Sequence, residues 1–210
     1  KRVLYYSNHK KLYKSISDIN PDLIFVVGWN KLIENKILKI PNLGTIGFHP
    51  SQLPKDRGSS VVAWQIEENY KKIYLSIFYL NNKIDQGDII DQTFKKILKN
   101  DYINNVLDKI DKMTRYLMVK NLNFILSNKV NIKKQNNKIA TYRKRRDNSN
   151  SLIDWKNNVE FAYNKIRAIS KPYPGAIGII NNQKYKIWKS KIINNKIINK
   201  KNLKIGEYTK

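Results

Sequence analysis

The apolar positions of this chain switch repeatedly between helix-like and strand-like spacing. Lys10 to Ile19 fits a short amphipathic helix, and the stretch PDLIFVVGW from Pro21 contains a five-residue apolar run, Leu23 to Val27, bounded by proline and glycine. A short unbroken apolar run between such breakers marks a strand buried on both faces, which argues for a parallel sheet. A second helix, about Lys31 to Lys39, leads through Pro41 and Gly44 into a strand at Thr45 to Phe48. After a loop, Ser59 or Ser60 can cap a helix running to about Glu68, and Ile73 to Leu80 and Asp88 to Phe94 read as two more strands. Strands alternating with helices predict an α/β layer fold.

From Asp101, the spacing of Ile103, Val106, Leu107, Ile110, Met113 and Leu117 gives a long helix with one apolar face, which closes the sheet domain. The polar and basic stretch that follows loses all periodicity and reads as a linker. Beyond it, LIDWKNNVEFAYNKIRAI reads as a helix after Asp154, KPYPGA breaks it, and IGIINNQKYKIWKSKII alternates around an Asn-Asn turn as a β-hairpin does. The expected division is a main domain over 1–130, a linker over 131–150 and a small β-rich C-terminal domain over 151–210.

Composition narrows the chemistry. A chain of 210 residues with 41% hydrophobic content can bury a core of its own. It has no cysteine, which excludes disulfides and thiolate metal sites, and its two isolated histidines make no zinc centre, so no metal is expected. No apolar run approaches the roughly 20 residues of a membrane-spanning helix and no signal-peptide pattern opens the chain, so a cytoplasmic location without membrane contact is the default expectation. The net charge of +25 suits a polyanionic partner, yet the lysines are spread among Asn and Ile along the whole chain. The basic tail from Asn181 to Lys210 offers only Tyr185, Trp188 and Tyr208 for stacking on bases.

Candidate chemistry gathers in two places. GTIGFHPSQLPKDRG, Gly44 to Gly58, sets His49 at the end of a strand and stiffens the loop after it with Pro50 and Pro54. The carboxyl ends of strands in an open α/β sheet are where ligands bind. NNKIDQGDII, Asn81 to Ile90, places Asp85 in a tight glycine-containing turn between two strands, where its carboxylate can reach His49 and fix its tautomer.

FHPSQLPKDRGSSVVAWQI together with IDQGDIIDQ resembles the formyl-tetrahydrofolate-dependent formyltransferases, the family that includes methionyl-tRNA formyltransferase, glycinamide ribonucleotide formyltransferase and the sugar N-formyltransferases. PDLIFVVGW resembles the strand before that family's active site, and YRKRRDNSNSLIDW with IRAISKPYPGA resembles the C-terminal part shared by its sugar and methionyl-tRNA branches. The resemblance covers roughly Asp18 to Trp188. It implies a partial Rossmann-like, mostly parallel formyltransferase sheet with a small C-terminal β-rich domain, and it makes 1–130 an N-terminally incomplete catalytic domain.

The resemblance also implies roles. His49 and Asp85 map to the catalytic histidine and aspartate; Trp29, Asn30, Ile84 and Asp85 would line the pocket of formyl-tetrahydrofolate, the formyl donor; Ser51, Leu53, Pro54, Arg57 and Gly58 would meet the substrate, with support of the loop as the other role open to Arg57. The family's third catalytic residue is an asparagine two residues before the histidine, where this chain has Gly47. Backbone N–H groups, Asn30 or Ser51 are the candidate replacements for that lost amide. The chain also has only about 20 residues ahead of PDLIFVVGW and stops soon after KIGEYTK, so it is expected to be a fragment or a truncated relative. Three functions follow as expectations: formyl transfer to a nucleotide-linked amino sugar, with a homodimer as an open state; formylation of methionyl-tRNA, the one reading with a nucleic-acid partner; and a degenerate relative that binds folate or nucleotide without turnover.

Overall fold

The segment TIGFH, expected as a strand, puts Thr45, Ile46, Gly47 and His49 into buried positions, and this strand organises everything around the candidate site. The computed structural model describes residues 9–193. In chain order its elements are α1 (His9–Ile19), β1 (Ile24–Val26), α2 (Asn35–Leu38), β2 (Thr45–His49), β3 (Arg57–Gly58), α3 (Val61–Glu67), β4 (Lys72–Tyr79), β5 (Ile89–Lys96), α4 (Ile103–Leu126), β6 (Tyr142–Arg143), α5 (Val159–Ala168), β7 (Ala176–Ile180) and β8 (Gln183–Ile187). The chain divides into two units: one holds residues up to Gly58, Tyr74–Phe94 and Ile110–Arg143, and the other holds Ser59–Ile73, Lys95–Lys109 and the chain from Lys144.

The first unit carries the α/β layering expected from the sequence. Its sheet runs β1-β2-β4-β5. β1 and β2 are adjacent and parallel, with Ile24 opposite Thr45 and Val26 opposite Gly47, while β4 joins β2 antiparallel with Ser76 opposite His49. Ile46, Leu75, Ile77 and Phe78 from the sheet and Met113 and Leu117 from α4 are at most 1% exposed. Burying each such side chain contributes about 1.5–3 kcal/mol, so the strands are held by the core they enclose. A two-stranded ladder of β3 with β6 lies apart from this sheet, Arg57 opposite Tyr142. Sequence reasoning assigned no strand to either segment.

The second unit pairs α3 with α5. Glu67 of α3, buried, accepts from Arg146 Nη2 at 2.5 Å and meets Lys165 Nζ at 3.0 Å, and the Arg146 guanidinium lies over the Trp64 ring. The β7–β8 hairpin turns on Asn181 and Asn182 at φ 50° and 61°, the two positive values that a two-residue hairpin turn requires. Trp155 donates its indole N–H to the Ile179 carbonyl and packs against Gly178, where a Cβ would sit 2.8 Å from its ring. Of the stretch expected as a C-terminal domain, the residues after Ile193, including Glu207 and Tyr208, lie outside the described residues.

Four local expectations change. β1 is half-buried rather than buried on both faces, because among the described strands it has a neighbour on one side only. α2 is one turn, starting after Glu34 in extended conformation, so residues 31–34 are not helical. Ser60 occupies the N-cap position of α3 but in a left-handed conformation with no side-chain cap; its Oγ instead accepts the Arg146 backbone N–H at 3.1 Å. α5 begins after Asn158, whose Oδ1 takes the Phe161 N–H at 2.7 Å, while Asp154 closes a turn ahead of it. No described helix is long and apolar enough to cross a membrane.

Candidate active site

His49 ends β2 and is 5% exposed. Its Nε2 lies 2.7 Å from the backbone carbonyl of Asp56. A carbonyl only accepts, so Nε2 carries a proton, and of the two neutral tautomers this contact selects the one with its lone pair on Nδ1. Nδ1 faces Asp85 Oδ2 at 3.4 Å, longer than a hydrogen bond but within ion-pair reach. That contact becomes a charge-assisted hydrogen bond only when the ring takes a second proton.

The carboxylate is aimed by its own backbone. Asp85 has φ 51°, a left-handed conformation that costs a non-glycine residue about 1 kcal/mol or more and persists where surrounding bonds impose it. Its Oδ2 accepts the Gly58 N–H at 2.8 Å. Two residues on, Gly87 passes so close to β4 that a Cβ there would lie 1.6 Å from the Tyr79 carbonyl oxygen, which explains the glycine of the DQGD turn. The Asp85 and Gly87 carbonyls both accept from Nε2 of Gln135, at 2.9 and 2.7 Å.

Gln135 belongs to the stretch read as a linker. Residues 133–143 in fact lie against the His49 loop and the Asp85 turn within the first unit. Lys133 exchanges both backbone hydrogen bonds with Ile89 at 2.8 and 2.9 Å. Thr141 Oγ1 accepts the Asp56 N–H at 2.8 Å, Arg143 Nε donates to Asp56 Oδ1 at 2.7 Å, and the Tyr142 hydroxyl lies between Gln86 Nε2 and Arg57 Nη1 at 3.0 and 2.8 Å. Asp56, Gln135, Thr141, Tyr142 and Arg143 were all missed by sequence reasoning. The DRG triplet was the one local signal, since Asp56 and Gly58 adopt positive φ and Gly58 would otherwise drive a Cβ to 2.3 Å from the Arg143 carbonyl oxygen.

The remaining sequence-derived candidates separate by exposure. Arg57 is fully buried and its four hydrogen bonds go to Gln135, Asn137 and Tyr142, so the geometry gives it loop support. Ser51 and Leu53 are buried: Ser51 Oγ donates to the Lys55 carbonyl at 2.7 Å, and Leu53 packs with Phe78 and Ile89. Pro54 is partly buried and accepts the Thr141 N–H. Trp29, Asn30 and Ile84 are exposed. Ser51 is therefore committed elsewhere as a replacement for the missing amide. Gly47, two residues before His49 on the same face of β2, is covered by Leu80, whose Cδ2 would lie 2.6 Å from an added Cβ.

A recess in the second unit, lined by Tyr102, Tyr163, Tyr173 and Trp188 among others, holds neither His49 nor Asp85. Burial pushes the Tyr163 and Tyr173 hydroxyls above their ordinary pKa. Among the described residues no three His, Asp or Glu side chains gather in a way that could hold a metal ion.

Known proteins are similar to this chain in sequence and fold. Residues 6–122 match the family described as formyl transferase, and residues 146–210 match the formyl transferase C-terminal domain. The chain is 36% identical over 185 residues to the bifunctional polymyxin resistance protein ArnA of Wigglesworthia glossinidia brevipalpis, covering 88% of this chain and 28% of that protein. It is 31% identical over 173 residues to methionyl-tRNA formyltransferase of Bacillus licheniformis, covering 82% of this chain and 54% of that one. The chain thus spans about half or less of the curated relatives it matches. Among solved structures, it superposes on WlaRD, a sugar 3N-formyl transferase in the presence of dTDP and 5-N-formyl-THF, at TM-score 0.66 and 27% identity, covering 80% of this chain and 62% of that one. The N-formyltransferase of Helicobacter canadensis, in complex with folinic acid and dTDP-3-aminofucose, superposes at TM-score 0.65 and 28% identity, covering 76% of this chain and 59% of that one.

Proposed function

The chain belongs to the formyl transferase family, and on that premise we propose that it transfers the formyl group of formyl-tetrahydrofolate to the primary amine of a nucleotide-linked amino sugar. The observation that carries the reading is the His49–Asp85 pair at the carboxyl end of β2, Nδ1 to Oδ2 at 3.4 Å. The two sugar N-formyltransferase structures, each above 25% identity, support the acceptor class.

The chemistry follows from the geometry. The acceptor amine attacks the formyl carbon, the carbonyl oxygen gathers negative charge, and the attacking nitrogen must lose a proton before the folate nitrogen leaves with one. His49 is the base at the strand end. On taking the proton its Nδ1 turns donor towards Asp85, so the carboxylate stabilises the charged ring at the step where charge develops. Trp29, Asn30 and Ile84, exposed beyond β1 and in the Asp85 turn, are the residues proposed to meet the folate, and Pro54 and Gly58 those proposed to meet the acceptor.

The test supplies formyl-tetrahydrofolate with a dTDP- or UDP-linked amino sugar and follows the N-formyl product by mass spectrometry. Product is expected, and His49→Ala or Asp85→Ala should each lower turnover by about a hundredfold or more. A second reading, methionyl-tRNA as acceptor, is favoured by the net charge of +25 and the Bacillus relative. Product on the tRNA alone, falling steeply with added salt as phosphate contacts require, would replace the sugar by the tRNA. Folate binding without turnover on either acceptor would leave the non-catalytic relative.

A further inference from the structure

Arg57 is a fully buried cation whose guanidinium, among the described residues, hydrogen-bonds only to neutral side chains. Burying a guanidinium without a carboxylate is costly unless its N–H groups are satisfied and the arrangement serves something else. What it serves is visible in one side chain. Gln135 Oε1 accepts from Arg57 Nε at 3.1 Å and from Nη2 at 2.7 Å, and Gln135 Nε2 donates to the Asp85 carbonyl at 2.9 Å and to the Gly87 carbonyl at 2.7 Å. The amide has one workable orientation, because turning it over would set its NH₂ against guanidinium donors and its oxygen against two carbonyls.

We propose that Gln135 is a positioning residue for formyl transfer: anchored by the buried guanidinium of Arg57, its carboxamide holds the Asp85–Gly87 turn in the left-handed conformation that aims the Asp85 carboxylate at Nδ1 of His49. The inference rests on the His49–Asp85 reading above. Three observations carry it independently of any substrate. The turn holds Asp85 at φ 51°, a left-handed conformation that an external tie helps to fix. Gln135 supplies that tie from a segment fixed two residues earlier by the paired backbone bonds of Lys133 and Ile89. The Gly58 N–H that grips Asp85 Oδ2 follows Arg57 directly, so one loop holds the carboxylate by its head and, through Gln135, by its backbone. A carboxamide is the side chain that serves both ends; a carboxylate keeps the guanidinium and repels the two carbonyls.

Gln135→Glu is therefore the discriminating change. The readout is the ¹⁵N spectrum of the histidine rings in the whole chain, which has two histidines, so that His49→Ala assigns the signals. Asp85→Ala first defines the displacement of the His49 Nδ1 resonance caused by loss of the carboxylate. Gln135→Glu should reproduce at least half of that displacement, with the melting temperature unchanged or raised; Gln135→Ala should reproduce it with a lowered one. Where turnover is measured, both should lower kcat about tenfold or more with KM for the formyl donor within about twofold, as loss of a group acting in the transition state does. A His49 Nδ1 resonance unmoved in both folded Gln135 variants, while Asp85→Ala moves it, overturns the proposal. Should Asp85→Ala itself leave Nδ1 in place, the pairing of His49 with Asp85 fails instead, and with it the reading on which this one stands.

Discussion

Replacing Gly47 by asparagine tests whether this chain lacks an amide or has filled its place. Gly47 lies in β2 with ordinary strand conformation, so space alone limits a side chain there. A Cβ would meet Leu80 Cδ2 at 2.6 Å and Cγ at 3.1 Å, and Leu80 packs against the Leu53, Phe78 and Ile89 cluster. Forcing atoms into such a contact costs about 1–3 kcal/mol. At about 2–4 °C per kcal/mol for a chain of this size, Gly47→Asn alone should lower the melting temperature by roughly 2–12 °C. Leu80→Ala removes the obstruction, so the double variant should be more stable than the sum of the two single effects by about 1 kcal/mol or more, measured as a double-mutant cycle of thermal or denaturant melts. In turnover, an oxyanion donor is worth on the order of a hundred- to a thousandfold. The double variant should exceed the parent by up to that factor, and Gly47→Asn alone should gain less because its side chain is displaced. A single variant as stable as the parent would refute the steric argument; a double variant that folds and turns over no faster would refute the claim that position 47 lacks a donor.

Two further outcomes follow from the packing around Gly58 and Asp91. Gly58→Ala places a Cβ 2.3 Å from the Arg143 carbonyl oxygen on a backbone at φ 105°, and should cost about 2 kcal/mol or more, visible as a fall of at least about 4 °C in the melting temperature; an unchanged melt would show that β3 and β6 separate freely. Burial pushes the Asp91 carboxyl up, but hydrogen bonds from Lys120, Asn121 and the Gln92 backbone outweigh it and hold it below its ordinary value. The folded value being the lower one, this stabilisation is present above the unfolded pKa of about 3.9 and is lost as the pH falls through the folded value. The stability gap between the parent and Asp91→Asn, from urea midpoints, should stay constant from neutral pH to about 4 and close below it, and a gap independent of pH would refute the pairing.

Much of the first unit was legible in the sequence because periodicity and punctuation agree there. The runs LIFVV and TIGFH could only be adjacent strands, the prolines after His49 announced a fixed loop, and the DQGD turn sits between two alternating stretches. The segment holding Gln135, Thr141 and Tyr142 was not legible, since it binds by single polar side chains at irregular intervals and leaves no period to find. Arg57 shows the same limit. A motif arginine reads equally as a substrate contact or a buried prop until its partners, some 80 residues along, are seen. The α5 start failed by four residues because Asp154 and Asn158 offer the same capping chemistry, and only packing chooses between them.

Neither unit of this chain is a continuous stretch of sequence. The chain passes from one to the other after Gly58, Ile73, Phe94, Lys109 and Arg143. When Arg143 emerges during synthesis, Glu67 is already made and its partners Arg146 and Lys165 are not. For that interval α3 carries a carboxylate destined for burial without Arg146 and Lys165, and is itself without α5. A nascent chain paused there exposes the surface on which misassembly and chaperones act. No single cut, by protease or by gene truncation, separates the two units, so a stop codon before the α5 segment leaves the second unit unfinished and its early segments still joined to the first.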